Sequence, residues 1–88
     1  MSRKGPARDE ATRLRVLRAI AVYVERNRVP PTLEELADEL GMVTTVAHRW
    51  IVRLERDGWV ESLWVAGRRS PRSIRIVETG QLALALAV

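Results

Sequence analysis

The side chains in this sequence with the clearest binding chemistry are arginines, and one stretch of the chain carries them in excess over acids. Residues 42–77 contain seven arginines and three acids, which gives this stretch a net charge of +4. Residues 32–41, by contrast, contain four acids and no cation. A guanidinium group forms paired hydrogen bonds with phosphate oxygens and with the edge of guanine. A cationic surface confined to one part of a domain is typical of proteins that bind nucleic acid.

Two groups of residues are candidates for this binding. The first group belongs to a predicted third helix and comprises Thr44, Thr45, Val46, His48, Arg49, Arg53 and Arg56. The outer face of this helix carries Thr45, His48, Arg49, Arg53 and Arg56, with Val52 near its edge. The second group lies on a predicted hairpin after this helix and comprises Arg68, Arg69 and Arg72. These side chains indicate double-stranded DNA as the partner, with the helix in the major groove and the hairpin on the backbone or in the minor groove.

Several of the helix candidates have two interpretations. Arg49 either contacts a guanine edge or binds a phosphate. Thr45 either touches the DNA or caps the helix, and Val46 either meets a thymine methyl group or fills a partly buried site. His48 is the only histidine of a chain without cysteine. We therefore interpret it as a polar residue that faces the groove, and we predict no metal site.

The other arginines also have alternatives. Arg53 and Arg56 are predicted to bind phosphates, unless they belong to a solvated face that is paired with neighbouring acids. Arg68, Arg69 and Arg72 are predicted to enter the minor groove or to follow the backbone, and a disordered basic loop is the alternative. The excess of arginine over lysine does not decide between these interpretations, because a GC-rich genome produces the same ratio.

The rest of the composition argues against several other classes of protein. The 88 residues suffice for one domain. The apolar run at residues 82–88 is far shorter than the ~20 residues needed to cross a bilayer. The sequence has no carboxylate pair in a pocket-forming context, no nucleophile beside a base and no glycine-rich phosphate loop. We therefore expect a protein that is not an enzyme, with no catalytic residue, cofactor, small-molecule substrate or membrane contact.

Three predicted helices position the candidate residues. Apolar side chains recur at helical spacing within residues 9–27, which form the first helix. Thr32 and Glu35 match a capping box at the start of the second helix. The third helix begins near Thr44 or Thr45, either of which is a suitable N-cap, and ends about twelve residues later.

After the third helix the apolar period changes to two, which predicts a hairpin. Its strands are residues 59–65 and 73–77, and a basic loop, residues 66–72, joins them. The predicted fold is mainly α with a small antiparallel β-hairpin, a winged helix-turn-helix. We divide the chain into a basic flexible arm (1–8), a DNA-binding domain (9–78) and an apolar C-terminal segment that is a candidate dimerisation helix (79–88).

The second and third helices match a helix-turn-helix, with small Ala37 where the helices approach and Gly41 in the turn. The stretches VPPTLEELADELGM, LERDGWVE and RSIRIV resemble the winged-helix DNA-binding domain of LexA-type repressors, over roughly residues 11–77. MarR-like winged helices are similar more distantly. The resemblance implies a sequence-specific transcriptional regulator that acts as a repressor.

Three features depart from the pattern of that family. The recognition helix has Val46, His48 and Arg49 where the family has polar and acidic readers, so we do not expect the LexA operator to be its site. The hairpin loop VAGRRSPRS is longer and more basic. No serine–lysine self-cleaving domain follows, so we expect that self-cleavage does not relieve repression.

The sequence thus predicts a homodimeric regulator of bacterial or phage type, located in the cytoplasm and associated with the nucleoid. The alternative is a winged-helix protein-interaction module of a transcription or replication assembly, in which the outer face of the third helix binds protein. The basic character of that face favours DNA over a protein partner.

Overall fold

The computed structural model of the chain describes residues 5–77 and contains three helices followed by four short strands. The helices are α1 (Gly5–Asn27), α2 (Leu33–Leu40) and α3 (Thr44–Arg56). The strands are β1 (Val60–Glu61), β2 (Trp64–Val65), β3 (Arg68–Arg69) and β4 (Arg75–Ile76). This architecture confirms the predicted winged helix-turn-helix, although α1 begins four residues before the predicted start. The apolar segment 79–88 lies outside the described residues.

One apolar core holds the three helices and the hairpin together. Its fully or nearly fully buried side chains are Val16, Leu17, Ile20, Leu36, Leu40, Ile51, Leu54, Val60 and Ile74. The members on each helix recur three or four residues apart, so that each helix buries one stripe and exposes the opposite one. The core therefore fixes which face of α3 points outward.

The start of α2 follows the predicted capping box. The Thr32 hydroxyl accepts a hydrogen bond from the backbone N–H of Glu35 at 3.1 Å, and the Glu35 carboxylate accepts one from the N–H of Thr32 at 2.9 Å. Gly41 ends the helix with φ of 68°, a left-handed conformation that a glycine adopts without a Cβ clash. The tight turn into α3 depends on this residue.

The start of α3 differs from its prediction. Val43 is the N-cap, in an extended conformation, and no side chain caps the helix. Thr44 and Thr45 lie in the first helical turn and are exposed, so the interpretation of either as the cap is wrong. A threonine caps a helix only from the flanking extended position, where its hydroxyl reaches the N–H two or three residues ahead.

The hairpin, or wing, consists of two separate antiparallel ladders. At its tip, Trp64 pairs with Arg69 and Val65 with Arg68. Ala66 (φ 52°) and Gly67 (φ 78°) form the two-residue turn, in which both positive φ values match the twist of the strands. The prediction of a loop over residues 66–72 is therefore wrong at Arg68 and Arg69, because the tight turn brings them into the second strand.

At the base of the wing, Val60 pairs with Ile76 and Glu61 with Arg75. Residues 70–74 bulge out between the two ladders. The hydroxyl of Ser73 closes the bulge, since it accepts a hydrogen bond from the N–H of Leu63 at 3.1 Å and donates one to the carbonyl of Ser70 at 2.7 Å. The bulge carries Arg72, in a left-handed conformation with φ of 56°, away from the tip.

Candidate nucleic-acid interface

The outer face of α3 is a cationic surface that the core leaves exposed. Ala47, Ile51 and Leu54 are buried. Since successive residues of a helix are about 100° apart, the opposite face is formed by Thr45, Arg49, Val52, Arg53 and Arg56, all of which are exposed. His48 is also exposed, whereas Val46 is half-buried at the edge of this face. The helix thus presents three guanidinium groups on one side.

Two of these arginines have partners that hold their side chains on the surface. Arg53 forms an ion pair with Asp9 of α1 at 3.1 Å, and its guanidinium lies 4.9 Å from the ring centroid of Trp50. Arg56 lies 3.8 Å from the carboxylate of Asp57. These arginines remain between 44% and 72% exposed. Exposed pairs of this kind are weak, so a phosphate group can take the place of either carboxylate.

Arg69 has a very different position from its predicted one on an open loop. Its side chain is only 8% exposed, and it donates hydrogen bonds to both carboxylate oxygens of Glu55 on α3, at 2.9 and 3.3 Å. Its Nε also donates to the hydroxyl of Ser62 at 3.2 Å, and its guanidinium lies 4.7 Å from the ring centroid of Trp64. Arg69 therefore joins the wing to α3.

The electrostatics at Glu55 fit this role. Partial burial raises the pKa of the Glu55 carboxyl, but hydrogen bonds from Arg69 and from the Ser62 hydroxyl outweigh it and bring the pKa below its usual value. The carboxylate thus stays charged next to the guanidinium. Because both groups have little contact with water, removal of either one would leave the other charge poorly solvated and destabilise the folded state.

Arg72 is held against the body of the domain by the bulge. Its two terminal nitrogens donate to the two oxygens of Glu35 at 2.6 and 2.8 Å, and one of them also donates to the carbonyl of Pro30 at 3.1 Å. The hydroxyl of Tyr23 donates to Glu35 at 2.8 Å. Arg72 thereby links the base of the wing to the α1–α2 corner.

These contacts lower the pKa of Glu35 to about 2, mainly through the hydrogen bond from Arg72, then through the N–H of Thr32 and the hydroxyl of Tyr23. A depressed carboxyl pKa stabilises the folded state above the unfolded value near 4.5, and this contribution disappears as the pH falls towards 2. We expect Glu35→Gln to be less stable than the wild type at pH 6, with the gap closing between pH 4.5 and 2. Urea unfolding across this range measures the gap.

The matched control for this prediction is Glu34→Gln, at an exposed neighbour in the same helical turn. We expect it to follow the wild type at every pH. A gap between Glu35→Gln and the wild type that stays constant down to pH 2 would show that the charge of Glu35 is not the cause.

The structure thus divides the ten predicted binding residues into three sets. Thr44, Thr45, His48, Arg49, Arg53 and Arg56 are exposed on α3, and Arg68 is exposed at the tip of the wing. Val46 is half-buried at the edge of the outer face of α3. Arg69 and Arg72 are engaged within the domain. Val52, which the sequence placed near the edge of this face but which was not among the predicted binding residues, is exposed on it.

Within the described residues 5–77, no group of three or more histidine, aspartate or glutamate residues is arranged to hold a metal ion. None of the three described helices combines the length and the apolar character that a membrane span requires.

Comparisons with known proteins agree with the geometry of this site. The family model described as the LexA DNA binding domain matches residues 10–73. The LexA repressor of Magnetococcus marinus is 34% identical over 64 residues, which make up 73% of this chain and 25% of that protein. The chain therefore spans about a quarter of the length of this curated relative. The resemblance that the sequence motifs indicated is confirmed.

Proposed function

We propose that this chain, which belongs to the family of LexA DNA-binding domains, binds double-stranded DNA in a sequence-specific manner and represses transcription. The observation that carries the proposal is the outer face of α3, where three arginines and Thr45 are exposed on one surface. Repression is inferred from the matched relative, whose name describes a repressor.

The dimensions of α3 and its side chains support a position in the major groove. A helix with its side chains is about 10–12 Å wide, and the major groove is about 12 Å wide. We place Thr45, His48 and Arg49, from the first two turns of α3, at the base edges. Arg53 and Arg56, one to two turns further on, bind phosphates of the groove wall.

The wing supplies a second contact in this proposal. Arg68 is exposed beside the Ala66–Gly67 turn and lies against the backbone or in the minor groove. Arg69 and Arg72 support the wing from within the domain, since their guanidinium groups bind Glu55 and Glu35. Their contribution to DNA binding is therefore through the position of the wing.

The proposal predicts a strong dependence of duplex binding on salt. Each phosphate that the protein neutralises contributes about −0.9 to the slope of log affinity against log salt concentration. We expect Arg56→Gln to make the slope less steep by about 0.9. Arg26→Gln is the control, because Arg26 is 63% exposed but lies on α1, beside Glu39, and is not one of the residues proposed to bind DNA. Fluorescence anisotropy with a labelled duplex at several salt concentrations measures both slopes.

A wild-type slope near zero would contradict DNA binding through this surface. It would favour the alternative function, a module that binds protein through the outer face of α3. If the wild type has a steep slope and Arg56→Gln has the same slope, Arg56 does not neutralise a DNA phosphate.

A two-fold dimer completes the proposed function. One recognition helix reads only a few base pairs, whereas a dimer reads two half-sites about 34–36 Å apart. The candidate interface, residues 79–88, lies outside the described residues. We expect light scattering to show a dimer for the full chain and a monomer for a chain that ends at Thr79. A full chain that is monomeric at high micromolar concentration would contradict this interface.

The proposal includes no catalytic step, in keeping with a family that is a DNA-binding domain. The cytoplasmic, nucleoid-associated location that the sequence suggests stays a prediction. The match covers only 25% of the curated relative, so the proposal includes no activity of the rest of that protein.

A further inference from the structure

Val52 is an apolar residue on the cationic outer face of α3. The residue is 41% exposed, and it lines a shallow depression on α3 together with Val46, Arg49, Trp50, Arg53 and Arg56. The apolar core is built from other residues of α3, Ile51 and Leu54 among them. The described domain therefore covers Val52 only in part.

Helix propensity does not favour a valine at this position. A β-branched side chain loses rotamer freedom in a helix and is a poorer choice at a solvated position than the arginines around it. An exposed valine leaves apolar surface in contact with water, which is unfavourable in the free protein. Both costs are removed if an apolar group covers Val52 when the outer face is occupied.

The proposed DNA complex offers one such group in the major groove, the C5-methyl of thymine. We infer that Val52 is a specificity-determining residue that packs on a thymine methyl group, an inference that rests on the proposed function.

The spacing of Val52 and Arg49 along α3 indicates which base pair carries this thymine. The two residues are three positions apart, which is about 4.5 Å along the helix axis. Base pairs are spaced about 3.4 Å apart, so the thymine lies one or two base pairs from the pair that Arg49 contacts.

Deoxyuridine substitution tests this inference, because deoxyuridine differs from thymidine only in the missing methyl group. A preferred duplex is first selected from a random library with the full chain. Each thymine of that duplex is then replaced in turn, and the dissociation constants of wild type and Val52→Ala are measured. Burial of one methyl group corresponds to about 0.8 kcal/mol. We therefore expect one replacement per half-site to weaken wild-type binding about fourfold and to leave Val52→Ala unaffected.

Val22→Ala is the matched control, since Val22 is 45% exposed on α1. We expect it to keep the full sensitivity to the same replacement. Val52→Ala places a better helix former at an exposed site, so the variant folds.

Three results would overturn the inference. In the first, wild-type binding is insensitive to every replacement. In the second, Val52→Ala keeps the wild-type sensitivity, and in the third, the selected site has no thymine within two base pairs of the guanine whose recognition requires Arg49. With any of these results the proposed function is still supported, provided that the wild type selects a sequence and binds it in a salt-dependent manner. A wild type that binds no duplex overturns both proposals.

Discussion

Replacing Arg69 by alanine is expected to lower the free energy of unfolding by about 2–4 kcal/mol, a large fraction of the stability of a small domain. The physical reason is the carboxylate of Glu55, which is only 17% exposed and would lose its cationic partner. Loss of one member of a largely buried pair leaves the other charge poorly solvated. The shift of the urea midpoint at constant slope measures the effect.

The neighbouring residue provides the control. Arg68 is exposed at the tip of the wing, and Arg68→Ala is expected to change the stability by less than about 0.5 kcal/mol. The double replacement of Arg69 and Glu55 by alanine is expected to recover part of the loss, because no unpaired charge remains. A loss below about 1 kcal/mol for Arg69→Ala would instead indicate an ordinary surface ion pair.

Replacing Arg49 by alanine is expected to weaken binding to the preferred duplex by roughly 1–3 kcal/mol and to reduce the preference among sequences. Arg49 is exposed in the second turn of α3, where we place the base edges. A guanidinium that donates two hydrogen bonds to one guanine discriminates against the other pairs. Competition binding with a panel of single-base variants measures both effects, and thermal unfolding is expected to show an unchanged domain.

Arg56→Ala is the comparison for this experiment. Its guanidinium is proposed to bind phosphate, so the variant is expected to weaken all duplexes by a similar factor. If Arg49→Ala leaves the relative affinities of the panel unchanged, Arg49 is a phosphate ligand and the base contacts belong to other residues of α3.

The features that local sequence predicts correctly depend on contacts between near neighbours in the chain. Thr32 and Glu35 are three residues apart, and their capping box forms as the sequence motif indicates. Gly41 ends α2 in the conformation expected of a glycine at that place. The buried stripe of α3 likewise follows from a spacing of three or four residues, which is why its cationic outer face was predictable.

The roles of Arg69 and Arg72, by contrast, depend on tertiary contacts. Their partner carboxylates, on Glu55 and Glu35, are 14 and 37 residues away in the chain. All the wing arginines look alike in a sequence, because charge and propensity do not record which guanidinium the folded chain brings beside an acid. The two-residue turn at Ala66 places Arg69 against α3, and the bulge at residues 70–74 turns Arg72 towards α2. Arg68 is exposed at the tip as the sequence predicted, Arg69 is nearly buried, and Arg72 is 42% exposed but paired with Glu35.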